Sequence, residues 1–250
     1  AATNTANINV NGLINSTDGT PSVTDGMITL NADGTLTLDV DGSFDGLVAG
    51  TAINAGMGAV MLTSNGNMRQ DTDGLITAAS VNATQAATAG GNIALGENNS
   101  VAAFTASNTA DTGTITFNSD QTLSVGAVSS DDGAISITTD DGAATNTANI
   151  NVNGLINSTD GTPSATDGEV FISADGTMTL DGPGGGAGNI VVNSGDAITR
   201  LVASGTISQT ADGLITAATL GVRQDSATAG FNINLCEANV VGTFAANNAS

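Results

Sequence analysis

The chain contains no lysine, histidine, tryptophan or tyrosine, and its three arginines (Arg69, Arg200 and Arg223) face 24 acidic residues, for a formal charge of −21. Each absence closes a class of function. Nucleic acids and anionic membrane surfaces are bound through many Lys and Arg side chains, which displace counterions from phosphates; neither partner is expected. A histidine general base, a lysine Schiff base and a histidine-rich zinc site have no residues to build them. Cys236 is the single cysteine, so no disulfide framework forms within the chain. Its place in an apolar stretch predicts a small core residue rather than a nucleophile. No apolar run reaches the roughly 18 residues needed to cross a bilayer, so membrane insertion is not expected. The start, Ala1-Ala2-Thr3-Asn4, has neither the basic nor the apolar region of a signal peptide. The expectation is a mature segment or an interior piece of a larger array.

What is present is 40% hydrophobic, nearly all of it Ala, Val, Ile and Leu, with six Phe as the only aromatics. That is too apolar for a disordered acidic tail. Side chains of this size suit a narrow, regularly layered interior.

Internal repetition organises the chain. Residues 1–22, AATNTANINVNGLINSTDGTPS, recur letter for letter at 143–164. The match continues more loosely. NADGTLTLD at 31–39 returns as SADGTMTLD at 173–181, QDTDGLITAAS at 70–80 as QTADGLITAAT at 209–219, and NIALGENNSVAAFTASN at 92–108 as NINLCEANVVGTFAANN at 232–248. Two continuous units follow: 1–142, and a truncated second copy, 143–250.

A shorter period lies inside the long one. Ile150/Val152, Val170/Ile172 and Ile190/Val192 are apolar pairs at i, i+2, as are Ile115/Phe117 and Ile135/Ile137, with small or polar residues such as Thr116, Ser136 and Asn151 between them. This alternation is that of strands with one buried face. Successive pairs stand about 20 residues apart, and a weaker set (Leu36/Leu38, Leu123/Val125, Met178/Leu180) falls between. Asp-Gly steps at 18, 25, 33, 41, 73, 132, 167 and elsewhere supply turns. No helical stripe is visible. Antiparallel hairpins would share the alternation and the turns, but not the near-constant spacing. An all-β parallel β-helix (β-solenoid) of about 20 residues per coil is therefore expected, with roughly twelve coils and a length of about 60 Å at ~4.8 Å per coil. One coil cannot bury its own apolar face, so stability must come from stacking.

The segments DGLITAASVNATQAATAGGNIALGENNSVAAFTASNTADTGTITFNSDQTLSVGAVSS and DGLITAATLGVRQDSATAGFNINLCEANVVGTFAANNAS resemble the haemagglutinin-type repeats of filamentous haemagglutinin-like bacterial exoproteins, the giant adhesins of two-partner secretion. The resemblance covers most of the chain and is one of repeat style. It implies a right-handed β-helix, an extracellular or cell-surface location, and a part in adhesion or extracellular fibres. The partners implied are further copies of the same array and a host or neighbouring-cell surface or its glycans. The family's secretion domain is not seen in this sequence.

No catalytic residue and no cofactor site is assigned from the sequence. The acid pairs Asp131/Asp132 and Asp140/Asp141 could serve acid–base chemistry, but they stand in Gly-rich turn sequence, where Asp commonly caps. A sugar-cleaving site would also want aromatic or basic side chains, so a glycan-active enzyme is the weakest reading. Carboxylates stacked in successive turns repel, and calcium would relieve them through oxygen ligands. The metal ligands themselves stay unknown. The run Asp181-Gly182-Pro183-Gly184-Gly185-Gly186-Ala187-Gly188-Asn189 lacks the aspartate of a calcium roll, and no GK[ST] follows it to make a phosphate loop. Thr-x-Thr steps at 35–37, 114–116 and 177–179 raise ice binding as a further alternative. Asn92 and Asn232 are candidates for amide ladders between coils. Asn15-Ser16-Thr17 and Asn157-Ser158-Thr159 match the glycosylation pattern.

Overall fold

The computed structural model describes residues 6–17, 22, 25–40, 50–87, 90–142, 147–161, 164–182, 189–226 and 230–249. The Gly-rich stretch 183–188 and the Asp-Gly steps at 18 and 41 lie outside the described residues. Among the described residues there are 22 strands and no helix, and every strand pairing is parallel. The chain is a parallel β-solenoid.

The alternation in sequence becomes alternation across the wall. In the strand Ile135–Thr139 the side chains of Ile135 and Ile137 are buried, while Ser136 and Thr138 face outward and are half-buried. Register then places like on like. Leu95, Phe117, Ile137, Ile172, Leu201 and Val222 stack in one column, each paired with the next. On the opposite side Leu62, Ala83, Ala106, Val128, Ile156, Val192 and Ile215 do the same. All are fully or almost fully buried. Small aliphatics fit because the two sides approach closely, and each lap lends its neighbours the apolar surface it cannot bury alone. The one large aromatic contact, Phe104 on Phe117, has ring centroids 3.9 Å apart and planes 10° from parallel.

The laps are longer and fewer than the spacing in sequence predicts: about nine, of roughly 24 residues. At ~4.8 Å per lap the rod is about 43 Å long. The difference has a specific cause. The spacing of about 20 is a true lap between Ile115 and Ile135, which pair. Ile150 and Val170 are equally spaced but lie on opposite sides: Ile150 pairs with Leu123 and Met178, and Val170 with Ile135 and Thr199. The strong and weak strand sets are thus mixtures of the two sides of one lap. Ile190, expected inside with Val192, is 40% exposed, and Val191 and Val192 are the buried residues.

One corner of the lap is closed by stacked glycines. Gly34, Gly66, Gly91, Gly113, Gly133 and Gly168 lie over one another, and a Cβ on Gly133 or Gly168 would collide with the backbone carbonyl of the glycine in the lap before. This is a close-approach requirement, and only glycine meets it.

The second copy continues the stack without a break, since Leu123 pairs with Ile150 and Ile135 with Val170. It is, however, turned about the axis. The chain visits the two sides alternately at residues 8, 28, 36, 60, 68, 81, 93, 104, 115, 125 and 135 before the repeat begins again at 150. The number of visits is odd. The strand Ile150–Val152, copy of Ile8–Asn11, therefore lands on the side that held Ile28–Ala32, and Val170–Ala174 lands on the side that held Ile8–Asn11. The two units are related by about half a turn.

Candidate functional site

Among the described residues polar chemistry is concentrated in four places: the residues that precede many inward strands, a buried Asn–Gln cluster, the carboxylates of the turns, and a groove beside two arginines.

Before many of the buried strands, those at 8, 36, 68, 93, 115, 150, 178, 207 and 233 among them, the chain places Asn or Thr, and several of the Asn side chains reach the adjacent lap. Oδ1 of Asn7 accepts the backbone N–H of Thr35 (2.8 Å), Oδ1 of Asn67 that of Asn92 (3.0 Å), Oδ1 of Asn92 that of Thr114 (2.9 Å), and Oδ1 of Asn149 that of Thr177 (2.7 Å). The backbone N–H of Asn232 is likewise taken by Oγ1 of Thr206 (3.4 Å). Asn92 and Asn232 do belong to a ladder, but it runs from side chain to backbone rather than from amide to amide. An amide–amide rung occurs elsewhere, where Nδ2 of Asn193 donates to Oδ1 of Asn157 at 2.8 Å. In both Asn-Ser-Thr sequences the amide nitrogen is engaged: Asn15 donates to the carbonyl of Thr17 (3.2 Å) and Asn157 to that of Thr159 (2.8 Å).

A buried polar cluster carries no periodic signature in the sequence. Asn99, fully buried, donates through Nδ2 to the carbonyls of Leu95, Glu97 and Asn118 and accepts from Gln70 and Ile76. Asn239 and Gln209 repeat the arrangement in the second copy. The recurrence of Gln and Asn at matched positions was the available signal.

The sequence-predicted acid pairs sit in turns and serve them. Asp132 adopts a left-handed backbone (φ 59°) and reaches the next lap, where Oδ1 accepts the N–H of Asp160 and Oδ2 the hydroxyl of Thr166. Burial pushes the Asp131 carboxyl above the usual 3.8, and the charges of Asp132, Asp160 and Asp111 push it further. Asp140 and Asp141 come together with Asp175 of the following lap; one carboxylate oxygen from each lies within 4.8 Å of the others. Oδ2 of Asp141 accepts from the N–H and hydroxyl of Thr147, and Oδ1 of Asp140 from the N–H of Gly142. Asp175 is held above the ordinary aspartate value, first by burial and then by the adjoining carboxyl of Asp141. Three oxygens at this spacing are suited to a hard divalent cation. Burial and the adjoining Asp141 carboxyl also favour a proton on Asp175, which would relieve the same repulsion without a cation.

Phe171, Arg200, Gly221 and Ala245 pair in sequence across four laps. The missing side chain at Gly221 leaves an outward groove of about 540 Å³ whose lining includes Phe171, Arg200, Arg223, Asp225 and Asn247. Arg200 is paired with Glu169 at 2.9 Å, and Arg223 with Asp225. The groove therefore carries an aromatic side chain, donors and acceptors, with its arginines paired to Glu169 and Asp225. The third arginine, Arg69, donates from Nε to Oγ1 of Thr37 (3.1 Å).

Cys236 is exposed, correcting the expectation of a core residue. Alternation explains it: Ile233 and Leu235 point inward, so Cys236 takes the outward position that Gly96 holds in the first copy. The Thr-x-Thr steps do not stack on one another. Thr37 is buried and pairs with Asn9 and Arg69, Thr116 pairs with Ala94 and Ser136, and Thr179 with Asn151 and Ser208.

Compared with known proteins, the chain matches no family model, no curated relative and no solved structure.

Proposed function

We propose that the chain is a structural and adhesive length of an extracellular or cell-surface fibre of the filamentous haemagglutinin-like kind, and that it performs no catalysis. The observation that carries this reading is the junction of the two units, where the second copy extends the same two-sided stack with no break in pairing from Leu123 to Ile150 or from Ile135 to Val170. A unit that adds to itself in this way lengthens a rod by mass-produced laps. Its negative outer charge opposes lateral collapse of neighbouring rods. Electron microscopy of native material tests the reading: thin filaments many times longer than the ~43 Å of these laps are expected. Isolated short particles that retain the full stack would overturn it. Adhesion is tested by retention of the chain on glycan arrays and cell surfaces, with Phe171→Ala and Arg200→Ala as groove variants.

Calcium binding is a second reading, favoured by one observation, the convergence of Asp140, Asp141 and Asp175. It requires a melting temperature that rises with calcium and falls again with EGTA, and that loses this response in Asp175→Ala.

A further inference from the structure

Charge is segregated around the rod. Among the described residues the strands hold only two acids, Asp39 and Glu97, and Asp39 is fully buried. The other described acids lie between strands. The strand walls are therefore where two chains of formal charge −21 can approach without setting carboxylate against carboxylate.

The two copies of the unit diverge on these walls. Where the second copy has Glu169, Phe171, Arg200 and Gly221, the first has Met27, Thr29, Met61 and Asn82. Met27, Met57 and Met61 are 62%, 52% and 41% exposed. Met61 points outward between buried Val60 and Leu62 and has Thr29 and Asn82 as its register partners. Gly221 likewise lies between Arg200 and Ala245. Both positions thus have a lap on either side, and what they present belongs to the wall itself. The missing side chain at Gly221 leaves the groove beside Phe171 and Arg200. The half-turn between units makes Met61 and Gly221 face opposite ways: Leu62 stacks in one buried column, Leu201 and Val222 in the other. One flank carries a protruding thioether. The other carries a recess with an aromatic ring, whose arginines are already neutralised by Glu169 and Asp225. Methionine fills irregular gaps, and its sulfur favours aromatic neighbours.

We infer that a second copy of this chain docks side to side on the first, its Met61 wall against the Gly221 groove, with the Met61 side chain set into the recess against Phe171. Knob and recess lie on opposite walls, so the contact is heterologous, and each docked copy leaves one of each for the next. The turn carboxylates stand at the rim of this contact, where salt screens their repulsion. Association therefore strengthens as ionic strength rises. The inference does not rest on the fibre reading: filaments without side-to-side partners would overturn it and leave that reading intact.

Sedimentation velocity of the full chain over a range of protein concentrations, in about 0.05 to 1 M NaCl, tests it. Two variants exchange a residue for the one at the matched position of the other copy, Met61→Arg and Gly221→Asn. A Cβ at Gly221 meets only Cγ of Arg200, at 4.0 Å, so the recess is filled without strain. Circular dichroism checks that both variants keep their β-structure. The unaltered chain is expected to assemble, more so at high salt, and each variant alone to weaken assembly at least about 10-fold. Mixing the two variants should restore one-to-one pairs, since the Gly221→Asn chain keeps its knob and the Met61→Arg chain keeps its recess. A chain that stays monomeric at every salt concentration, assembly unmoved by either variant, or a mixture that does not pair overturns the proposal. So does assembly that weakens with salt, which would make arginines on another chain's turn carboxylates the contact.

Discussion

Oδ1 of Asn99 accepts two hydrogen bonds at once, from the backbone N–H of Ile76 one lap below (2.9 Å) and from Nε2 of Gln70 (2.5 Å). Asn99 stands inside the wall, fully buried, where no water can replace it. Replacing it with Ala strands a buried backbone N–H and a side-chain amide together, and about 3 kcal/mol of stability should be lost. Asn239 makes the same two bonds in a partly open lap, so Asn239→Ala should cost about 1 kcal/mol. Urea unfolding followed by far-ultraviolet circular dichroism measures both.

The aromatic pair makes a parallel contrast. Phe104→Ala or Phe117→Ala opens a cavity between fully buried laps and should cost about 3–5 kcal/mol. Phe244→Ala removes a ring that is mostly in water and should cost under about 1 kcal/mol. Equal losses at Phe104 and Phe244 would mean that Phe244 is covered in solution.

Much of this was readable beforehand. Alternation in Ile135-Ser136-Ile137-Thr138 needs only a strand with one wet face, and the structure bears it out. The lap length was not readable, because the two sides of a lap carry the same i, i+2 signature. Nothing in Ile150 and Val170 themselves says that they face each other across the core rather than stack. Asn92 and Asn232 stood out by recurrence, yet whether an amide bonds to another amide or to a backbone N–H depends on where the neighbouring lap places its corner. Apolar neighbours alone suggest a core place for Cys236, but parity decides: with Ile233 and Leu235 inside, the next residue faces out.

Thr112 holds a left-handed backbone with φ of 61° while its side chain is exposed. A β-branched residue is strained there, although the backbone N–H of Thr112 donates to the carbonyl of Asp131 (2.8 Å), a bond that a substitution keeps. Thr112→Asn or Thr112→Gly should raise stability by about 0.5–1 kcal/mol, seen as a higher melting temperature with unchanged circular dichroism.

Asp175 gives a pH signature. Its folded carboxyl binds a proton more tightly than an ordinary aspartate of 3.8, because of burial and then Asp141. Its contribution to stability is therefore fully present below 3.8. That contribution is lost as pH rises through the raised folded value, and it remains lost at neutrality. Asp175→Asn should thus raise the melting temperature at pH 7, and the gain should fade on acidification towards the unfolded value. A gain independent of pH would rule out this linkage.

Cys236 should react with a maleimide or Ellman's reagent in the native state at nearly the rate of a small free thiol, since it is exposed and makes one weak contact, its Sγ 3.7 Å from a carboxylate oxygen of Glu237. Cys236→Ser should change stability by no more than about 0.5 kcal/mol. Protection from the reagent that disappears only on unfolding would contradict the outward placement.

The odd count of side-changes in the first unit, repeated along a longer array, would decide how that array meets its surroundings. A patch borne once per unit would face left in one unit and right in the next, so a single flank would show it at every second unit only. If such a rod binds surfaces as proposed, alternate units would grip one surface and those between them whatever lies opposite, and the parity of a strand count would set the stagger of the bridges.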